Sequence, residues 1–368
     1  MRRLFYDQLH ILHPLLLLLL FLLILLSNIA MISIFDGVQD FALRHLIHSL
    51  LGLGLLIGLA NTSPRFWFRH AFTLYLMFLV LLILVELIGV VGLGAQRWLS
   101  VGPFRFQPSE LMKVGVILAL ARYFQALNPK DYYSLRIYIL PILLIIIPFS
   151  LIALQPDLGT AMLLLLVSVA IILAAGLPNK FIYIGIGSGL AIAVYAWFEI
   201  LLDYQKKRIF SFLDPTSDPA GSGYHINQSI IAVGSGGLFG KGFGAGSQTQ
   251  LDFLPEKHTD FIFTAFAEEF GFIGSMFLLI IQYSIIYLGF SYSREIASNF
   301  AKLVAFGVIG LYAIQVSINS AMVLGLVPVV GVPLPIFSYG GTSMLTTLAA
   351  FGIFFSVMKA RHETTLKY

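Results

Sequence analysis

Apolar runs broken by short polar stretches dominate the chain, and ten of them reach about twenty residues or more, near 11–34, 41–60, 70–93, 109–127, 135–155, 158–177, 181–201, 262–290, 301–327 and 337–358. A helix of about twenty residues crosses the roughly 30 Å hydrocarbon layer of a bilayer, so the pattern predicts an all-α integral membrane protein of about ten transmembrane helices. The run Leu15 to Leu20 follows Arg2 and Arg3, as in a secretory signal. The stretch is too long for a signal, lacks a small-residue cleavage pattern and precedes further spans, which predicts a retained first helix. One connection is out of scale: about 60 residues, 202–261, separate the seventh helix from the eighth. A structureless connection of that length is unusual in a compact protein. Its glycines are interspersed with His225, Asn227, Gln228, Phe243, Phe253 and Pro255. It is therefore expected to fold onto the outer face as a large extracytoplasmic loop within a single polytopic membrane domain, 1–368. No solenoid repeat, low-complexity tract or pair of inverted halves is evident.

Composition sharpens this picture. Hydrophobic residues make up 58% of the 368 and charged residues 11%, which excludes a soluble protein with one anchor. The absence of cysteine excludes disulfides, thiol nucleophiles and thiolate metal sites. The net charge of +4 matters through its distribution. With the N-terminus inside, the short inner segments carry Arg2, Arg3, Arg65, Arg69, Arg122, Lys130, Arg136, Lys180, Arg294, Lys302, Lys359, Arg361 and Lys367, against Arg44, Arg97 and Arg105 outside. That bias predicts that both termini are cytoplasmic. Lys206, Lys207, Arg208, Lys241 and Lys257 lie in the long connection, whose length is at the limit where positive charge stops setting orientation.

Ionisable groups inside membrane spans are costly and by default mark functional sites. Glu110 and Lys113 open the fourth helix after Gln107-Pro108-Ser109, with Ser109 a candidate N-cap and the i, i+3 spacing placing both charges on one face. They form either a packing ion pair or the lining of a polar cavity, and the two are compatible. Asp157, between Gln155-Pro156 and Leu158-Gly159-Thr160, suits a helix cap and also lies level with that pair. Glu86, inside the third helix, has no partner in the sequence and is left unassigned. Glu268 and Glu269 read as helix-start charges of the eighth helix. The segment 254–261, Leu-Pro-Glu-Lys-His-Thr-Asp-Phe, brings acids, a histidine and a cation to the mouth of that helix. Asp260 is its sharpest candidate, because an acid at the water-bilayer boundary can have a raised pKa and still reach a polar substrate. An N-cap role for Thr259 or Asp260 is the competing reading.

Two further segments carry glycines. The stretch 234–246 includes Lys241 and could cradle phosphate, but its order does not fit a P-loop, and tight-turn backbone is the better reading. The stretch 331–343, Gly-Val-Pro-Leu-Pro-Ile-Phe-Ser-Tyr-Gly-Gly-Thr-Ser, predicts irregular backbone at a helix start, tolerated at membrane depth only against protein or a wet cavity.

Taken together and in order, Gly94 to Leu99, Phe106 to Glu110 with Lys113, Gln155 to Thr160, the glycine-rich loop, Leu254 to Phe261 and Ser338-Tyr339-Gly340-Gly341 resemble the RodA/FtsW (SEDS) family of polysaccharide polymerases. Gln248 with Leu251-Asp252-Phe253, and Gly331 to Pro335, are like its elongation branch, typified by RodA. Thr342 stands where the family more often has serine, and the hydroxyl is kept. The resemblance implies a peptidoglycan glycosyltransferase of cell elongation and rod-shape maintenance. It would polymerise lipid II at the outer face of the cytoplasmic membrane alongside a class B penicillin-binding transpeptidase and other elongation-complex membrane proteins, with no nucleic-acid partner. Asp260 corresponds to the family's essential aspartate, and Glu110, Lys113 and Asp157 match further functional positions. Lys113, Arg208 and Lys241 are candidates for the leaving pyrophosphate, with Ser338 on the substrate side. No cofactor is required by the pattern, although the pyrophosphate would accommodate a divalent cation, Mg or Mn. A lipid II flippase and a non-catalytic scaffold of the elongation complex are the alternative functions.

Overall fold

The computed structural model describes residues 13–34, 39–92, 95–102, 104–128, 131–214, 221–251, 253–254 and 256–362. Positions 11, 12 and 93 of the expected spans lie outside the described residues, as do Arg2, Arg3, Gly94, Lys130, Asp252, Pro255, Lys367 and the side chain of Arg361.

Each of the ten expected segments is helical. In chain order the helices are α1 Pro14–Ile34, α2 Gln39–Ala60, α3 Pro64–Ile88, α4 Pro108–Gln125, α5 Ile139–Leu154, α6 Leu158–Ala174, α7 Asn179–Glu199, α8 Asp203–Leu213, α9 Ser222–Ser235, α10 Ser247–Gln250, α11 Ile262–Arg294, α12 Asn299–Val323 and α13 Gly341–Met358. Local sequence fixes several starts. Ser63 caps α3, its hydroxyl accepting from Phe66 N at 3.3 Å ahead of Pro64. Asp157 caps α6, accepting from Thr160 N at 3.2 Å. Eight of the described helices are long and apolar enough to cross a membrane, and α6 is apolar but shorter. The chain is thus a multi-pass membrane protein. α4, with Glu110, Lys113 and Arg122, is too charged for that criterion, yet it is buried on almost every face at the centre of the bundle. α7 is its opposite, with no buried side chain.

The fold is helical as expected, with one addition: after α3 a three-stranded antiparallel sheet, β1 Val90–Gly92, β2 Ala95–Val101 and β3 Phe104–Phe106, bridges to α4. One expectation needs correction. Ser109 is not the cap of α4, because Pro108 takes the first helical position and Gln107 precedes it without a side-chain cap. Glu86, left unassigned from the sequence, is exposed near the end of α3.

Within the connection 202–261 the described residues include the helices α8, α9 and α10. Ser229 of α9 bonds both Thr264 (2.7 Å) and the Val323 carbonyl (2.8 Å), joining this connection to α11 and α12.

α11 is two helices, 262–270 and 272–294, broken at Gly271 (φ +68°, ψ −166°). α12 serves as a ruler. Tyr283 stands against Ser317 (3.5 Å) and Gly289 against Ile309. Continued straight, α11 would carry residue 260 roughly 30 Å beyond Asn319 at 1.5 Å per residue. Asn319 instead donates to the Asp260 carbonyl at 2.8 Å, so the chain doubles back at Gly271. The glycine-rich stretch fills the break. Lys241 N and Gly242 N donate to the Glu268 and Glu269 carbonyls at 3.0 Å each, while Phe272 N and Ile273 N donate to the Gly237 and Leu238 carbonyls at 2.9 and 3.1 Å. One loop therefore satisfies the free carbonyls of the half-helix and the free N–H groups of the spanning helix. Glycine is required for this approach: a Cβ on Gly271 would lie 2.2 Å from Gly240 N.

Candidate active site

Asp260 ends the turn that leads into the half-helix 262–270. Phe261, not Thr259 or Asp260, holds the N-cap position, and no side chain caps that helix. The competing cap role is therefore removed. Among the described residues no hydrogen-bond donor engages the Asp260 carboxyl. What holds the residue is its main chain. Ser338 donates to the Thr259 carbonyl (2.6 Å) and accepts from Leu334 N (2.8 Å), Tyr339 N donates to the His258 carbonyl (2.8 Å), and Asn319 grips the Asp260 carbonyl. The irregular segment 331–340 is thus the clamp for the loop 256–260. Gly331, exposed and at φ +71°, lies beneath the acid: a Cβ there would stand 3.5 Å from Asp260 Oδ2.

The surface of Asp260 is only partly covered, but its carboxyl sits deep among protein atoms. Burial raises its pKa to about 7, with the negative Glu256 adding to the rise, Arg208 opposing it, Asp157 adding and Arg97 opposing. A carboxylate with a pKa near 7 is matched to proton transfer at neutral pH. These five charges come from four places in the sequence. Arg208 lies on α8 and Asp157 at the head of α6, where Gln107 Nε2 donates to it at 2.9 Å. Arg97, on β2, donates to the carbonyls of Gln155 (3.1 Å) and Pro156.

Glu110 and Lys113 form a 2.8 Å ion pair, with Thr346 of α13 at 3.4 Å from the carboxylate. Lys113 is 1% exposed and Glu110 7%. They line a narrow cleft, a cavity of about 10 Å³, with Tyr312, Gln315 and Thr346. Gln315 is one turn from Asn319 on α12, so this cleft lies one helical turn from the Asp260 clamp.

Residues 7–363 match the family model FtsW/RodA/SpoVE, described as a cell cycle protein. The chain belongs to this family. It is 39% identical to the peptidoglycan glycosyltransferase MrdB of Escherichia coli K12 over 360 residues, covering 97% of this chain and 95% of that one. It is 36% identical to stage V sporulation protein E of Bacillus subtilis over 331 residues, 88% of each chain. Among solved structures, it superposes on a chain of a peptidoglycan synthase complex studied for coordination of polymerization and crosslinking, with a TM-score of 0.82, 31% identity and coverage of 95% and 98%. The rod shape determining protein RodA of Thermus thermophilus gives 0.70, 30% identity and coverage of 95% and 97%.

Within this FtsW/RodA/SpoVE chain, the sequence-predicted residues divide. Asp260, Arg208 and Asp157 share one electrostatic environment. Glu110 and Lys113 occupy the neighbouring cleft. Ser338 bonds backbone on both sides and acts on the site through the clamp. Lys241 lies beyond the far end of the half-helix, its ammonium 2.7 Å from Glu268 and 2.8 Å from Ser247. Its charge is engaged in fastening the loop. Glu268 and Glu269 are not helix-start charges: they stand two turns inside α11, and Glu269 accepts from Ser33 of α1. Arg97 and Asn319 are the residues that motif reading passed over. Arg97 was visible within its motif, although its reach to residue 155 was not.

Proposed function

We infer that this chain is a peptidoglycan glycosyltransferase that polymerises lipid II into glycan strands during elongation, with Asp260 as general base. The observation that carries the reading is Asp260 itself. It is a clamped carboxylate with no hydrogen-bond donor among the described residues, poised by burial near neutrality and facing an exposed glycine. In the reaction Asp260 takes the proton from the acceptor's sugar hydroxyl as that oxygen attacks the anomeric carbon of the donor. The bond to undecaprenyl pyrophosphate breaks, its electrons leave on the phosphate oxygen, and the sugar centre inverts. A positioned base contributes on the order of 10² to 10⁴-fold, so positioning and charge stabilisation supply the rest. Arg208 is the cation best placed for the pyrophosphate, with Lys113 balancing Glu110 in the adjoining cleft.

Asp157 and Glu256 are the acids whose oxygens would hold a divalent cation arriving with the pyrophosphate, and such an ion would supply charge neutralisation there. Among the described residues no three acids and histidines are grouped to hold a metal unaided.

The charge bias along the sequence supports cytoplasmic termini and a periplasmic site, with 202–261 as the outer layer of a single membrane domain. The likeness to a chain of a peptidoglycan synthase complex supports a class B penicillin-binding transpeptidase as partner. The deciding experiment uses the purified chain with lipid II, with and without that partner, scored for glycan strands. Wild-type synthesis lost in Asp260→Asn supports the reading. Synthesis by Asp260→Asn at the wild-type rate overturns the base, and lipid II transport without strands would mark a flippase.

A further inference from the structure

Asn319 belongs to none of the motifs, is fully buried, and lies one turn before the end of α12. Its amide nitrogen has two hydrogens, and both go to main-chain carbonyls: Asp260 at 2.8 Å and Val332 at 2.7 Å. The reverse orientation of the amide would set an oxygen against two carbonyl oxygens, so the hydrogen-bond pattern fixes the assignment. Asn319 Oδ1 has no partner among the described residues. A carboxamide is needed for this bridge. Serine has one hydrogen to donate, ionised aspartate none, and leucine no polar atom.

The two carbonyls belong to the two walls of the site. One is on the residue that carries the carboxylate. The other follows Gly331, the residue beneath Asp260 Oδ2. Ser338 and Tyr339 staple the preceding residues, Thr259 and His258, while Asn319 reaches Asp260 itself. Loss of the amide would leave two buried carbonyls unpaired and let the loop 256–260 shift against the segment at 331–332.

We propose that Asn319 is a positioning residue of the transferase, which fixes the Asp260 carboxylate over Gly331 by bridging the backbone on both sides of the acceptor site. This rests on the reading of Asp260 as base. The charges that act on Asp260 are Glu256 on its own loop, Arg208 on α8, Asp157 at the head of α6 and Arg97 on β2; none of them stands on α12. Asn319→Asp would add the first charge from that side and raise the pKa of Asp260.

The test measures lipid II polymerisation by purified wild type, Asp260→Asn, Asn319→Leu, Asn319→Asp and Asn319→Ser, with kcat and KM separated across pH. For Asn319→Leu, kcat is expected to fall on the order of 10²-fold while KM stays within about two-fold. Asn319→Ser, with one donor, should fall less. Asn319→Asp should also move the acidic limb of the rate profile to higher pH, which simple loss of folded protein would not do. Wild-type kcat in monodisperse Asn319→Leu overturns the proposal. If only Asn319→Ser can be purified, it decides: lowered kcat at unchanged KM supports positioning, and wild-type kcat refutes it. Activity in Asp260→Asn would instead remove the base reading, independently of Asn319.

Discussion

Two carboxylates bracket the half-helix 262–270, and their surroundings are opposite. Glu268, 0% exposed, accepts from five donors: Lys241 Nζ, Ser247 Oγ, Gln248 N, Thr249 N and Thr249 Oγ1. Asp260 accepts from none among the described residues, although its backbone is held by its neighbours. A carboxylate saturated with donors is a structural fastener. One that is clamped through its main chain, with its oxygens left open, keeps its basicity for a substrate proton. The same residue chemistry thus anchors one end of a short helix and, as proposed, serves reaction at the other.

The comparison is tested hardest by removing each acid. Asp260→Asn should lower polymerisation on the order of 10² to 10⁴-fold with thermal unfolding in detergent unchanged or slightly later, because an uncompensated buried acid is replaced by a neutral isostere. Glu268→Ala should do the reverse. The unpaired donors of residues 247–249 should cost about 3 kcal/mol of stability, read as an earlier unfolding midpoint, while turnover per folded molecule changes little. Gly271→Ala should resemble Glu268→Ala and exceed it in severity, since a side chain there meets backbone at φ +68°. A Glu268→Ala protein that is fully stable yet inactive would erase the distinction between the two acids.

A finer test uses pH. Asp260 must be ionised to accept a proton, so the rate should rise with pH through about 7 and level off above it. Glu256→Gln removes a negative neighbour and should move this acidic limb to lower pH, whereas Arg208→Gln removes a positive one and should move it higher. Stability should run the other way. A carboxyl whose folded pKa is raised contributes fully below its unfolded value, near 4, and that contribution is lost as pH rises through about 7. Asp260→Asn should abolish this slope. A limb that ignores both substitutions would mean that another group titrates.

Hydropathy made the long apolar helices legible, because a bilayer demands long apolar runs. It could not register β1 and β3, whose three residues are too few for a period to emerge. Nor could it register the break in α11: Gly271 stands at the head of the apolar stretch that follows Glu268 and Glu269 and reads as a packing glycine, while the loop that fills the gap lies about thirty residues upstream. Glu268 and Glu269 looked like helix-start charges for that reason. Asp260 was singled out by its place in a motif, but removing the cap role required the structure, which puts Phe261 at the N-cap. Asn319 had no sequence signal, since neutral amides inside membrane helices carry no charge that compels a partner.

The smallest effect expected is that of Ser338→Ala, and it separates clamp from substrate contact. Ser338 is 5% exposed, and its hydroxyl bonds Thr259 O and Leu334 N, so its removal loosens the backbone next to Asp260 without touching the carboxylate. Tyr339 N and Asn319 still hold the adjacent residues, which limits the loss to about 1 kcal/mol, or roughly five-fold in kcat. KM should stay constant, because no substrate contact has been removed. A rise in KM at constant kcat would make Ser338 a direct sugar or phosphate ligand, and the segment 331–340 would then belong to the binding surface instead of the frame that aims Asp260.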